Sequence, residues 1–258
     1  LAGQSSGIKT LKGGKANIGD PVENIMRNFI HLIDAAQKNR AADMILQDMA
    51  KARLARKLTP EERAEMKAYT RLADAFTPML KLMSSEYCNS LAYDAIQIFG
   101  GSGYMKDYPI ERIYRDARIT NIYEGTSQLQ VVAAIRHVTT GTYLAQIKEY
   151  EAQTYEQKHL HEKLVALREQ YEQSVQKVVS AENNEFIDFH ARRMVEMAAH
   201  IIISYLLMRQ AGEVEDYRNS AELYVKYAEA QNSAAARYIE SSTLADLDLI
   251  SAVKEEEL

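Results

Sequence analysis

The 258 residues carry a net charge of −5 and 47% hydrophobic side chains, enough apolar material to bury cores in one large or two ordinary domains. That balance gives no electrostatic reason to propose nucleic acid, whose binding needs a strongly basic face. The longest apolar run, Ala198 to Met208, is interrupted by His200 and Ser204 and falls far short of the roughly 20 residues that span a bilayer, so no membrane segment is expected.

The opening residues, Leu1 to Gly19, hold five of the 11 glycines and have neither an initiating Met nor a charged-then-apolar leader. They read as part of a longer protein. Asp20-Pro21-Val22-Glu23 and Thr59-Pro60-Glu61-Glu62 each combine a capping side chain, Pro at the first helical position and Glu at the third, which predicts two long helices. The first has Ile25, Phe29, Leu32, Ile33 and Ala36 at helical spacing and runs to about Leu58. The second runs from Pro60 to about Phe99, with a break or kink expected at Thr77-Pro78 because Pro lacks the amide donor and crowds the preceding turn.

A loop-rich centre follows from Gly100 to Thr126. Thr126 or Ser127 can then cap a helix to about Val138, with Leu129, Val132 and Ile135 on one side. Beyond Gly141 there is no proline and a single glycine, Gly212, so helices are expected near 142–153, 155–181, 184–211 and 216–240. With no alternating strand pattern, the fold class is all-α, two stacked helical bundles. Residues 1–140 hold 19 basic against 15 acidic residues and 141–258 hold 12 against 21, which divides the chain into domains 1–140 and 141–258.

Few side chains suggest chemistry on their own. Cys88 is the single cysteine; it cannot form an internal disulfide, points to a reducing, cytoplasmic setting and reads as a small core residue. His200 lies in an apolar run and reads as a hydrogen-bonded core residue. His159 and His161 face different sides of a helix, so no metal is assigned. Gly100 and Gly101 end a helix where positive φ or close backbone approach is needed, for a turn or for a ligand. Glu124, before a helix start, reads by itself as a carboxylate favoured by the helix dipole, and Gly125 after it leaves room for something to approach. Glu111 with Arg115 and Arg112 with Asp116 read as surface pairs at four-residue spacing.

Taken together, the segments Gln97-Ile98-Phe99-Gly100-Gly101, Tyr108-Pro109-Ile110-Glu111-Arg112, Tyr114-Arg115-Asp116-Ala117 and Ile122 to Gln130 closely resemble the signature of the acyl-CoA dehydrogenase family. The resemblance runs through 34 consecutive residues, Gln97 to Gln130, and continues more weakly from about Asp20 to Val138, the family's C-terminal helical-bundle domain. Residues 141–258 loosely resemble the extra helical domain of longer members.

The resemblance implies that Glu124, in Tyr-Glu-Gly-Thr, is the catalytic base, and that Gly125 and Arg136 contact substrate. It implies FAD contacts from Gln97, Ile98, Phe99, Gly100 and Gly101 and from Thr126, Ser127, Gln128, Leu129 and Gln130. The activity it implies is oxidation of an acyl-CoA to a trans-2-enoyl-CoA, with electrons passed to an electron-transferring flavoprotein by a homodimer or homotetramer. The family's N-terminal and middle domains, which hold the flavin ring, are not in this sequence, so it is expected to be inactive alone. Competing readings are an acyl-CoA oxidase and a non-catalytic helical assembly module of the same fold.

Overall fold

A computed structural model describes residues 57–249. The helix expected from Asp20 lies outside the described residues. Within them the protein has helices and no strand, and the all-α expectation holds. The chain divides into two compact units, Leu1–Gln130 and Val131–Leu258.

In the first unit, α1 spans Pro60–Phe99. Its start is the capping box read from the sequence: the Glu62 amide donates to the Thr59 hydroxyl at 3.2 Å, and the Thr59 amide donates to the Glu62 carboxylate at 2.9 Å. The break expected at Thr77-Pro78 does not occur. Pro78 sits buried inside a continuous helix, where one missing hydrogen bond is outweighed by the apolar contacts of Met79, Leu82 and Met83 around it. At the other end Gly100 adopts φ 62° and its amide donates to the Gln97 carbonyl, a conformation that favours glycine.

A short 3-10 helix, Gly100–Tyr104, follows. Gly103 permits it, because a Cβ there would lie 2.7 Å from the Phe99 Cβ and 2.8 Å from the Ile96 carbonyl. The expected loop-rich centre also contains a further helix, α2, Pro109–Ile119. Pro109 at its first position presets the backbone, and Glu111 pairs with Arg115 at 3.9 Å one turn on. α2 packs along α1 and buries Ile110 and Ala117.

Helix α3, Ser127–Thr139, buries Val131, Ala134 and Val138. Of the residues read as sharing one side, Leu129 is 57% and Val132 55% exposed, so the buried side is another. Both stripes have helical spacing, so periodicity alone cannot choose between them.

The second unit continues with α4 (Thr142–Glu151), α5 (Lys158–Ser180), α6 (Asn184–Glu213), a 3-10 turn (Glu215–Tyr217) and α7 (Arg218–Ser241). These agree with the expected helices to within a few residues. Helices α5, α6 and α7 pack against one another, and α4 packs on α5 and α6. At the centre α6 is enclosed on every side, with each residue from Met197 to Tyr205 buried. Each large apolar side chain so buried contributes about 1.5–3 kcal/mol.

Two polar groups in that core are satisfied by one partner. Asn232 of α7 meets the His200 Nδ1 at 2.9 Å through Oδ1 and donates its Nδ2 to the Met197 carbonyl at 3.2 Å. His200 is thus a hydrogen-bonded core histidine.

Candidate functional site

Between α2 and α3 the chain turns and bends through Thr120 to Thr126. Glu124 has φ 52° and Gly125 has φ 91°, two successive left-handed residues. For Gly125 this costs little. For Glu124 it costs about 1–2 kcal/mol, and strain of this kind in a folded protein is held by its surroundings.

Those surroundings are visible. The Lys81 ammonium, from the middle of α1, donates to the Thr120 carbonyl at 2.6 Å and the Gly125 carbonyl at 3.0 Å, and lies 5.6 Å from the centre of the Tyr123 ring. One turn further along α1, the Glu86 carboxylate accepts from the Ser127 hydroxyl and, at 3.4 Å, from the Asn121 amide. Asn89 donates to the Ala117 carbonyl at 3.0 Å and the Thr120 hydroxyl at 3.2 Å. From the far side, Gln130 donates its amide to the carbonyls of Glu124 and Gly125. Thr126 accepts from the Leu129 amide at 3.3 Å, giving α3 the side-chain cap anticipated for it.

The result is a backbone held by side chains of α1 and of α3, carrying a Glu124 side chain exposed to solvent. Such a carboxylate can accept a proton from a molecule resting on the turn. The space expected at Gly125 is closed on one side, since a Cβ there would meet the Gln130 Nε2 at 2.6 Å.

The candidate residues fall in separate places. Glu124, Gly125, Thr126, Ser127 and Gln130 share the turn and the first residues of α3; Gln128 and Leu129 beside them are exposed. Gln97, Ile98 and Phe99 are exposed at the C-terminal end of α1, and Gly101 is open, with nothing near a Cβ built there. The helix between Lys81 and Gln97 is about 24 Å long at ~1.5 Å per residue, so the two groups of candidate residues lie apart on one molecule of this chain. Arg136 is exposed on α3, its Nε 3.1 Å from the His137 Nε2.

Sequence reasoning missed Lys81, Glu86 and Asn89. The signal was present: Lys81, Ser85 and Asn89 form a polar row at four-residue spacing on a helix with buried Met79, Leu82 and Met83.

Several shifted titrations lie elsewhere, in the second unit. Burial pushes the Tyr143, Tyr171 and Tyr205 phenols upward. His190, packed edge-on against Phe186 at 4.6 Å and Phe189 at 4.7 Å, is pushed down to about 4 by burial, with Arg193 and Lys177 adding to the effect. These are consequences of a dense core, and none lies beside the Glu124 turn. The two histidines of α5 diverge, His159 to the Glu222 carboxylate at 2.6 Å and His161 to the Glu151 carbonyl at 3.0 Å. No group of three or more potential metal ligands gathers among the described residues, and no helix among them is long and apolar enough to cross a membrane. Cys88 is half-buried, less enclosed than expected, and burial raises its thiol pKa.

Known proteins supply an independent comparison. Residues 30–139 match the family described as "Acyl-CoA dehydrogenase, C-terminal domain", and residues 139–247 match "Acyl-CoA dehydrogenase C terminal". The short-chain specific acyl-CoA dehydrogenase of Bos taurus mitochondria is 41% identical over 142 residues, covering 51% of this chain and 34% of that protein. The caffeyl-CoA reductase-Etf complex subunit CarC of Acetobacterium woodii is 33% identical over 139 residues, covering 50% and 37%. The chain thus spans about a third of the length of these relatives. An acyl-CoA dehydrogenase from Bacillus anthracis, solved in complex with FAD, shares the fold at a TM-score of 0.53 over 90% of this chain and 49% of its own, with 18% identity. With two C-terminal descriptions of one family joined end to end over residues 30–247, the chain belongs to the acyl-CoA dehydrogenase family.

Proposed function

We propose that the chain is the C-terminal part of an FAD-dependent acyl-CoA dehydrogenase, and that Glu124 is the base that removes the α-proton of a bound acyl-CoA. The observation that carries this reading is the Glu124 turn: a strained backbone, pinned by Lys81, Glu86 and Gln130, that presents one exposed carboxylate. A surface glutamate with no task has no need of that support.

The α C–H bond of an acyl thioester is weakly acidic, so its carboxylate base has to be held against it. Once a substrate chain covers Glu124, water is displaced and the carboxylate becomes a stronger base than a hydrated one. The proton goes to Glu124, a double bond forms between the α and β carbons, and the product is a trans-2-enoyl-CoA. FAD, when bound, supplies the acceptor for the β-hydride. In its protonated form the same carboxylate returns the proton in the reverse direction, that of the Acetobacterium woodii relative.

The residues fit contacts to the edges of a flavin nucleotide. At the end of α1, the exposed amide of Gln97 and the rings and chains of Phe99 and Ile98 flank Gly101, where open space lets a ligand approach the backbone. Thr126, Gln128 and Leu129 offer the same mixture at the start of α3. Because the two sets lie far apart on one molecule, a homodimer or homotetramer would let each serve a different flavin. Arg136 and Gly125 are assigned to substrate. The Etf-complex relative supports an electron-transferring flavoprotein as partner, and the division into domains 1–140 and 141–258 is part of the same reading.

The test is Glu124→Gln in the FAD-loaded full-length protein. The amide keeps the shape but cannot take the proton. FAD and acyl-CoA binding should persist while flavin reduction slows by about 100- to 10,000-fold. Flavin reduction at the parent rate would remove Glu124 from the reaction and favour the non-catalytic assembly module.

A further inference from the structure

We infer that Lys81 is a positioning residue for this base: its ammonium closes the two ends of the Glu124 turn and thereby sets where the carboxylate points. The inference rests on the assignment of Glu124 as base.

Lys81 makes two contacts of different meaning. The first, to the Thr120 carbonyl at 2.6 Å, caps the C-terminal end of α2, where unpaired carbonyls and the helix dipole attract a cation. On its own this would be a structural role. The second, to the Gly125 carbonyl at 3.0 Å, belongs to the residue that follows Glu124. One ammonium therefore ties the segment before Glu124 to the segment after it, across two residues at positive φ. Charge-assisted bonds from an ammonium are stronger than neutral ones, and the Tyr123 ring centre lies 5.6 Å from it.

Gln130 also holds the Gly125 carbonyl, and that of Glu124, but from the helix that follows the turn and through a neutral amide. Lys81 is one of three ties to α1, beside Glu86 and Asn89, and the one that reaches the Gly125 carbonyl. With it removed, the turn keeps its links to α3 and, through Glu86 and Asn89, to α1, but loses the charged tie to the Gly125 carbonyl. Glu124 would then sample orientations in which its oxygens miss the α-proton.

The experiment compares Lys81→Met, Lys81→Arg and Glu124→Gln in the FAD-loaded full-length enzyme. It reads anaerobic flavin reduction by saturating butyryl-CoA, per bound flavin, together with amide hydrogen exchange of residues 121–126. Lys81→Met should speed exchange across the turn and slow flavin reduction about 10- to 100-fold, the scale of a small misplacement of a reacting group. Lys81→Arg, which retains charge and donors, should recover most of that loss.

If Lys81→Met fails to hold FAD, Lys81→Gln is measured in its place, and a Gln rate equal to the parent's overturns the inference. A structural cap alone would lower the melting temperature but leave the rate per flavin unchanged, which also overturns it. So does unchanged exchange in the turn. Should Glu124→Gln reduce flavin normally, the base assignment itself fails, an outcome separate from any result at Lys81.

Discussion

The Gln130 side chain reaches back from the first turn of α3 to donate to the Glu124 carbonyl at 3.2 Å, so the helix that follows the glutamate also restrains it. The same amide nitrogen donates to the Gly125 carbonyl at 3.3 Å, and a Cβ at residue 125 would lie 2.6 Å from it.

Gly125→Ala should therefore do two things. It places a side chain at φ 91° and pushes the Gln130 amide from its position 2.6 Å from the new atom. The expected cost is about 1–3 kcal/mol, the range for local backbone strain, read as a lower urea midpoint. Flavin reduction by acyl-CoA should slow as well. A variant with parental stability and rate would show that the turn accepts other shapes.

His190 should make stability depend on pH. Its folded pKa of about 4 lies below the ordinary 6.5, because the ring is buried and Arg193 and Lys177 stand near; Asp246 opposes them weakly. The unfolded chain takes up the proton near pH 6.5 and the folded chain only near 4, so unfolding binds a proton between these values. Stability is complete above about pH 6.5 and falls as pH drops toward 4, by on the order of 1–3 kcal/mol. His200 is shifted in the same direction by burial, with Asn232 opposing.

Neither His190 ring nitrogen has a hydrogen-bond partner among the described residues. His190→Met should then be tolerated at pH 7 and should flatten the loss between pH 6.5 and 4. Urea midpoints at pH 7 and pH 5 measure this. An unchanged pH slope in the Met variant would assign the effect to other groups.

The proposed domain 141–258 includes four of the second unit's helices and the enclosed helix α6. Expressed alone, it should unfold in one cooperative transition with the far-ultraviolet spectrum of a helical protein. A broad, non-cooperative melt would mean that residues before Gly141 complete its core.

Most of the fold was legible because helix signals are local. The Thr59 cap, the Thr126 cap, whose hydroxyl accepts from the Leu129 amide, and the run without proline after Gly141 each specify structure within a few residues. What escaped is non-local. Pro78 reads as a breaker only if the packing around it is ignored. Val131, Ala134 and Val138 and the rival stripe of Leu129, Val132 and Ile135 fit the same helix equally well, and burial chooses between them. The turn around Glu124 was read from a motif, but its supports at Lys81 and Glu86 lie about 40 residues away and reach it only after α1 and α2 have packed.

Helix α6 bears on how the second unit comes into being. A helix exposed on one face can form early and wait for a partner, its polar side in water. α6 has no such side between Met197 and Tyr205, so before α4, α5 and α7 close around it, it presents an adhesive surface in every direction. Isolated helices are marginal in water, and partly folded chains with uncovered apolar surface associate with one another. The order of events is constrained accordingly: α4 and α5 precede α6 in the chain and can cover part of it as it forms, and full cover waits until α7, the last of these three partners, has emerged.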